Sequence, residues 1–115
     1  MESTPEDRRQ AVVSAIATAR RAEERVEFIA DDTGARVVFE DRRLRVESAD
    51  RDRLAALLED YGVFKVRQPA TRKADDGVVY LSAVTDPKHG ADFVEALFRE
   101  VYDAPMNYRL RVEPG

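Results

Sequence analysis

A run of basic side chains between residues 63 and 73 is the clearest candidate for binding chemistry in this sequence. Its four bases are Lys65, Arg67, Arg72 and Lys73, and no acidic residue lies among them. Lys65 and Arg67 are two positions apart, so on a strand they would share a face. The following Arg72–Lys73 pair, in a polar loop, could close over an anion. The pattern predicts a site for phosphate, a nucleic-acid backbone or an acidic peptide.

Two further arginines, Arg109 and Arg111, would extend this anion site if the last strand lay beside the basic run. A solvated face that binds nothing is the alternative interpretation. Asp75 and Asp76 follow closely and favour that alternative. So does the lack of interleaved aromatic side chains, on which single-stranded bases would stack. The sequence leaves both interpretations open.

The only histidine, His89, is predicted in the first turn of a helix, beside Lys88 and after Asp86. A helix amino terminus favours anions, so a neutral imidazole there could donate a hydrogen bond to a phosphate or carboxylate. Catalysis would also need a nucleophile, and Ser82 and Thr85 are the nearest candidates in sequence. An exposed or capping histidine is the alternative. We therefore predict that the protein is not an enzyme.

Two acidic clusters could suggest a metal site, namely residues 31–34 (DDTG) and 75–77 (DDG). Neither has the alternating ligands and the distal glutamate of an EF-hand loop. Side-chain-capped turns explain both clusters. The glycines form neither a G-x-G-x-x-G pattern nor a Walker loop. We expect neither a metal nor a cofactor.

The elements that would position these residues follow from apolar periodicity, capping residues and turns. Helices are expected from Pro5 to about Glu24, from a cap at Ser48 or Asp50 to Tyr61, and from Asp86 to about Tyr102. Strands are expected at 26–30, 36–40, 44–47, 63–67, 78–84 and 108–112. The order α-βββ-α-ββ-α-β predicts an α+β fold, a mainly antiparallel sheet of five or six strands with helices packed on it.

One domain is expected over residues 1–115, with frayed ends at 1–4 and 113–115 and a mobile loop at 68–77. The first eight elements resemble, in their order, the fold of type III secretion chaperones and their bacterial relatives. This resemblance is one of topology. It implies a protein that holds a partner protein on the surface of a dimer.

The third helix has an unusually wide apolar surface. Its six large apolar residues, Phe93, Val94, Leu97, Phe98, Val101 and Tyr102, span roughly 180°, whereas a helix resting on one sheet face needs about 100°. The surplus should meet either the first helix or a second subunit. We predict a homodimer interface because exposed apolar patches seldom lack a function. Together with the last strand, its residues are Val94, Phe98, Tyr102, Tyr108 and Leu110.

Composition limits the remaining classes of function. The absence of cysteine excludes disulfides, thiol catalysis and cysteine-ligated metals. The net charge of −4 argues against wholesale coating of nucleic acid, and three lysines among 19 bases are typical of a halophile-like composition. With neither a signal-peptide pattern nor a membrane-spanning run, we expect a cytoplasmic protein that does not enter membranes. The sequence predicts a small protein-interaction domain that pairs with itself or another protein, with anion or nucleic-acid binding as the alternative.

Overall fold

The computed structural model of the chain describes residues 2–47, 50–66 and 78–114. Its helices are α1 (Pro5–Ala22), α2 (Arg51–Asp60) and α3 (Pro87–Ala96), and α3 continues into a π-helical segment, Leu97–Val101. Its strands are β1 (Val26–Ala30), β2 (Ala35–Glu40), β3 (Arg43–Glu47), β4 (Lys65–Val66), β5 (Val78–Ser82) and β6 (Leu110–Pro114). The predicted α+β fold and element order are confirmed. None of the described helices is long and apolar enough to cross a membrane.

The six strands form one antiparallel sheet in the order β4-β5-β3-β2-β1-β6. Strands β1 to β3 follow one another as a meander through short turns. The last strand returns beside the first and forms one edge, where the sequence predicts an edge strand. Strand β4 forms the other edge, so β4 and β6 lie at opposite edges of the sheet with four strands between them.

Two of the helices begin at a capping residue followed by proline, as predicted. Thr4 Oγ1 accepts a hydrogen bond from the N–H of Asp7 at 3.2 Å, and Asp86 Oδ1 accepts one from the N–H of His89 at 2.9 Å. The proline that follows each cap needs no hydrogen-bond acceptor at the first helical position. Helix α1 ends two residues before its predicted end because Glu23 adopts a left-handed φ of 55°, which terminates a helix.

The three helices pack on one face of the sheet, and no helix among the described residues packs on the other. Buried residues of α1, α2 and α3 form one apolar cluster with the strand residues that point towards them, including Phe28, Phe39 and Leu81. Ile29 and Val38 point the opposite way and are buried outside that cluster. The surface around Ile29 and Val38 is called the helix-free face below.

Helix α3 lies between the other two helices, which explains its wide apolar surface. It packs along α1, its π-helical segment contacts α2, and the sheet lies beneath. At Gly90 an added Cβ would be 3.2 Å from Ile16 Cδ1, so α1 and α3 approach closely. Periodicity measures how much of a helix is apolar but not how many neighbours share that surface.

The interface predicted at Val94, Phe98, Tyr102, Tyr108 and Leu110 must therefore be corrected. Val94 and Phe98 are 0% exposed, and Tyr108 and Leu110 are 1% exposed, all within a single chain. The Phe98 ring packs against the rings of Tyr102 at 6.0 Å and Tyr108 at 5.5 Å between centroids. The Tyr102 hydroxyl donates a hydrogen bond to the Glu47 carbonyl at 2.5 Å. These side chains hold the core together and do not form a free surface.

The edge formed by β6 is also largely closed to pairing. Glu2 and Leu110 exchange two backbone hydrogen bonds, of 3.3 and 2.8 Å, on the side of β6 away from β1. Alternate residues of a strand point their backbone groups to the same side, so Val112 and Pro114 are the next to face outward. Proline has no N–H to donate. The ends predicted to fray are thus paired at Glu2 and included in β6 as far as Pro114.

One arginine, Arg8 of α1, is buried in the centre of this arrangement and is 1% exposed. Its guanidinium donates to both carboxylate oxygens of Glu95, at 2.9 and 2.6 Å. It also donates to the carbonyls of Ser3, Met106 and Tyr108, at 2.9, 3.0 and 3.1 Å. Its Cζ lies 3.9 Å from the centre of the Tyr108 ring. Arg8 thereby joins α1, α3 and the segment that leads into β6.

Candidate functional site

Of the basic residues of the predicted anion site, the three that the structure describes do not lie together. Lys65 lies on β4 at one edge of the sheet, whereas Arg111 lies on β6 at the other edge, with Arg109 just before it. The condition for extending the site, that the last strand lie near the basic run, is not met. Arg67, Arg72 and Lys73 lie outside the described residues, as does the predicted mobile loop at 68–77.

His89 belongs to an aromatic cluster. Its ring is parallel to that of Phe64, with centroids 5.6 Å apart, and lies 5.7 Å from the ring of Tyr61. Phe93 stacks on Phe64, with centroids 4.0 Å apart, and meets the ring of Tyr61 edge-on at 5.3 Å. Thr85, one of the candidate nucleophiles, uses its carbonyl to accept a hydrogen bond from Arg20 at 2.6 Å. The described contacts of the imidazole are therefore packing contacts.

The acidic turn at residues 31–34 is bound to the last strand. Asp32 Oδ2 accepts a hydrogen bond from the N–H of Arg109 at 2.9 Å, and Asp31 Oδ1 accepts one from Arg111 Nε at 3.1 Å. Thr33 Oγ1 accepts the N–H of Ala35, as side-chain-capped turns do. Over the described parts of the chain, no group of three or more metal-ligating side chains is arranged to hold an ion. The second acidic cluster, 75–77, lies outside the described residues.

A feature that the periodicity analysis did not use is a tripeptide, Arg-Val-Glu, that occurs three times. The copies are residues 25–27, 45–47 and 111–113. The second and third copies lie within β3 and β6, and the first begins one residue before β1. In each copy the arginine and glutamate form an ion pair, with N–O distances of 3.2, 3.2 and 2.6 Å. A search for recurring tripeptides finds this signal, but its meaning requires knowledge of which face each strand exposes.

All three Arg-Val-Glu copies place their charged side chains on the helix-free face. Strand residues alternate between faces, and the central valines of the first two copies, Val26 and Val46, join the core under the helices. The sheet register aligns Glu27 with Glu113 on one side and with Val38 on the other. Val38 in turn faces Arg45, which faces Tyr80. On this face, charged side chains therefore surround a few apolar ones.

A recess of about 190 Å³ lies on this face. Val38 lines it and is only 4% exposed, while Tyr80 on β5 borders it. Its charged lining consists of Arg25, Arg43, Arg45, Glu40 and Asp41. This set of residues, with Val38 and Tyr80, is called the arginine recess below.

Two donors in the arginine recess lack an acceptor. Arg25 Nε and Arg45 Nε are buried atoms, and neither makes a hydrogen bond with the described residues. Each guanidinium uses a terminal nitrogen for its own strand's glutamate, at 3.2 Å in both cases. Buried donors are nearly always paired, because an unpaired one costs about 1–3 kcal/mol.

The turn between β2 and β3 forms one wall of the recess. Asp41 and Arg42 both have positive φ, 51° and 58°, as a two-residue hairpin turn of the primed type requires. Neither is glycine, so each left-handed residue costs roughly 1–2 kcal/mol. The carbonyl of Arg42 accepts a hydrogen bond from the N–H of Ala83 at 2.7 Å, which fixes the turn. Strained turns that are fixed in this way are often found at functional sites.

A second concavity, of about 580 Å³, lies between α1 and the edge strand β6. Small side chains of α1 line it, including Ala11, Ser14 and Ala15. Its polar lining consists of Glu2, Ser14, Thr18 and Glu24, together with Arg25 and Arg111. We do not assign it a ligand.

No curated protein matches the chain, and no solved structure matches it either. The similarity in element order to type III secretion chaperones therefore remains a prediction. A family model does match residues 2–114, which is nearly the whole chain, and its description is "Family of unknown function (DUF7975)". The chain belongs to this family, DUF7975.

Proposed function

We propose that this protein is a non-enzymatic protein-interaction domain that binds another protein through its helix-free face. One observation carries the proposal: an arginine recess lies on the sheet face that none of the described helices covers, and it groups three arginines with Tyr80 and Val38. Arginine and tyrosine are enriched where protein interfaces have most of their binding energy. The recess combines both residue types with an apolar side chain, Val38.

The two surfaces that the sequence predicted for an interaction, on α3 and β6, are already covered within the chain, which supports the choice of the helix-free face. The apolar side of α3 is buried under α1 and α2. The backbone of β6 is capped by Glu2 and ends at a proline. The proposal therefore moves the predicted interface from α3 and β6 to the helix-free face. It assigns the protein to the cytoplasm, because a chain without cysteine suits a reducing compartment.

A non-catalytic role fits the surroundings of the residues that could do chemistry. The His89 ring stacks on Phe64 and lies tilted against Tyr61, and its backbone N–H donates a hydrogen bond to Asp86 Oδ1. Glutamate often acts as a general acid or base in enzymes. Here the Glu95 carboxylate accepts hydrogen bonds from Arg8 and from the Tyr108 hydroxyl. Neither group is aligned with a nucleophile among the described contacts.

Site-specific photo-crosslinking in the cells that make the protein tests the proposal. The photoreactive residue p-benzoylphenylalanine is introduced in place of Tyr80, on the helix-free face, and separately in place of the exposed Arg51 of α2. We expect a discrete adduct from position 80 and none from position 51. The protein recovered from the adduct is then purified, and its affinity is measured for the wild type, Arg45→Glu and Arg51→Glu.

Weakened binding by Arg45→Glu alone supports the helix-free face as the docking surface. An adduct of twice 13.0 kDa identifies a second copy of the chain as the occupant and restores the predicted homodimer at a new position. Adducts from position 51 only, or equal affinities for both charge-reversed variants, overturn the proposal. Retention on heparin that falls steeply with salt would favour the nucleic-acid alternative instead.

A further inference from the structure

We propose that the protein bound on the helix-free face is a second copy of this chain, paired sheet to sheet around a two-fold axis. This inference rests on the proposed function and identifies the partner. Its basis is the order of the charged side chains along the two central strands, β2 and β3. That order makes the helix-free face complementary to itself when one copy is turned end for end.

Strand β2 carries opposite charges at equal distances from its middle residue on this face. Arg36 and Glu40 lie two residues to either side of Val38, and both are exposed. Because alternate residues of a strand point to the same face, all three lie on the helix-free face. A two-fold axis that runs across the strands at Val38 turns the second copy end for end. It places Arg36 of each copy opposite Glu40 of the other.

Strand β3 repeats this arrangement beside β2. Arg43 and Glu47 lie two residues to either side of Arg45. The register pairs Arg45 with Val38, so the two strands share one middle row and one axis. The same rotation therefore places Arg43 of each copy opposite Glu47 of the other. Since a two-fold axis repeats every contact, each strand supplies two equivalent ion pairs.

The middle row brings like side chains together, but its charged members are already neutralised within the chain. Arg45 is paired with Glu47 Oε1 at 3.2 Å, and a carboxylate has a second oxygen that can accept from the other copy. Glu27, which the register aligns with Val38, is paired with Arg25 at 3.2 Å. Packed sheets also cross at about 30°, which offsets the like charges from one another.

The size of the face sets the expected strength of pairing. Six strands spaced by about 4.8 Å, with about five residues of about 3.4 Å in each, give a footprint of about 400 Å² per copy. A standard interface buries about 800 Å² per partner. Val38 is already 4% exposed in the single chain, so pairing adds little apolar burial. We expect a dimer held mainly by charge, with a Kd in the high micromolar range.

Mixing two charge-reversed variants tests the inference. In Arg36→Glu both facing positions are acidic, and in Glu40→Arg both are basic, so each variant repels its own copies. The two variants present opposite charges to each other at both positions. Sedimentation equilibrium at low ionic strength, where screening is weakest, should show the wild type as a reversible dimer. Each variant alone should pair at least about tenfold more weakly, and their mixture should recover the wild-type Kd within about threefold.

Circular dichroism checks the folding of each variant, and Arg43→Glu mixed with Glu47→Arg gives the same test on β3. Arg51→Glu, at the exposed start of α2, is the control and should dimerise like the wild type. A wild type that stays monomeric throughout the micromolar range overturns the inference. So does a dimer that Arg36→Glu leaves intact, or a mixture no more associated than its two components.

The outcomes also separate this inference from the proposed function. A crosslink from position 80 to a different protein would overturn the second copy as the partner and would still support docking on the helix-free face. An adduct of two copies combined with a mixture that stays monomeric would overturn the end-for-end pairing alone. Loss of every crosslink from position 80 would remove both the proposed function and this inference.

Discussion

The Arg8 guanidinium and the Glu95 carboxylate form a two-pronged ion pair in which Arg8 is 1% exposed and both oxygens of Glu95 accept a hydrogen bond. The Tyr108 hydroxyl also donates to Glu95, at 2.7 Å. The three side chains come from α1, α3 and the segment before β6. Their contacts make a polar centre within a core that is otherwise apolar.

Removing one partner of this pair should be far more harmful than removing both. Glu95→Ala leaves a buried guanidinium without its counter-charge, and we expect a loss of about 3–5 kcal/mol in the free energy of unfolding. Arg8→Met should cost a similar amount. The double variant Arg8→Met/Glu95→Ala should lose much less than the sum of the single losses. Urea unfolding of the four proteins measures the coupling. Additive losses would show that the pair does not act as a unit.

The same pair predicts how stability depends on acidity. Burial alone would raise the pKa of Glu95, but hydrogen bonds from Arg8 and Tyr108 outweigh burial, and the pKa lies below its ordinary value of 4.5. A carboxyl group with a depressed folded-state pKa adds stability above the unfolded-state value and loses it as the pH falls through the folded-state value. We expect the stability difference between wild type and Glu95→Gln to be constant above about pH 5 and to shrink below it. Urea unfolding at a series of pH values measures this, and a difference that grows on acidification would contradict it.

Phe98→Asp should unfold the protein and not merely dissociate it. Phe98 is fully buried between Tyr102 and Tyr108, so the variant loses its packing and buries a carboxylate. Loss of a buried phenylalanine alone costs about 3–5 kcal/mol, a large part of the stability of a small domain. Circular dichroism and light scattering report the outcome, with the exposed Arg51→Asp as the control. A folded Phe98→Asp protein of lower mass than the wild type would restore α3 as an interface.

Opening the capped edge of β6 should promote self-association. In the variant Glu2→Pro/Pro114→Val, position 2 loses the N–H that donates to the Leu110 carbonyl, and position 114 gains an N–H donor. Exposed strand edges pair with other chains, so the mass from light scattering should rise with concentration beyond that of the wild type. Arg21→Val adds an exposed valine on α1 and controls for hydrophobicity. Equal masses for the wild type and the edge variant would show that Glu2 and Pro114 do not protect this edge.

The parts of the fold that were predicted from sequence depend on local chemistry. Caps at Thr4 and Asp86 and a turn at Gly34 act over a few residues, so their effect can be read directly. The antiparallel sheet followed from short connections between strands. The end of α3 differs because the α-helix stops at Ala96 and continues as a π-helical segment to Val101, a change that apolar periodicity does not reveal.

The candidate site could not be predicted in the same way, because its residues meet only through the sheet. Arg25, Arg45 and Tyr80 are far apart in sequence and become neighbours through the order of the strands. The burial of Phe98 likewise depends on α1, which is distant in the chain. Arg8 could not be singled out from sequence either, since one charged side chain in an amphipathic helix gives no sign that a carboxylate will cover it.

The contacts of Arg8 also bear on the order in which a newly made chain can finish folding. Its acceptors at Met106 and Tyr108 are separated from it by 98 and 100 residues. During synthesis, the first helix leaves the ribosome long before these carbonyls exist. Until Met106 and Tyr108 have been added, the Arg8 guanidinium lacks two of its carbonyl acceptors, so α1 cannot dock stably. The domain should therefore close only after Tyr108 has been added to the chain, and a chaperone that binds before then would encounter the first helix still loose.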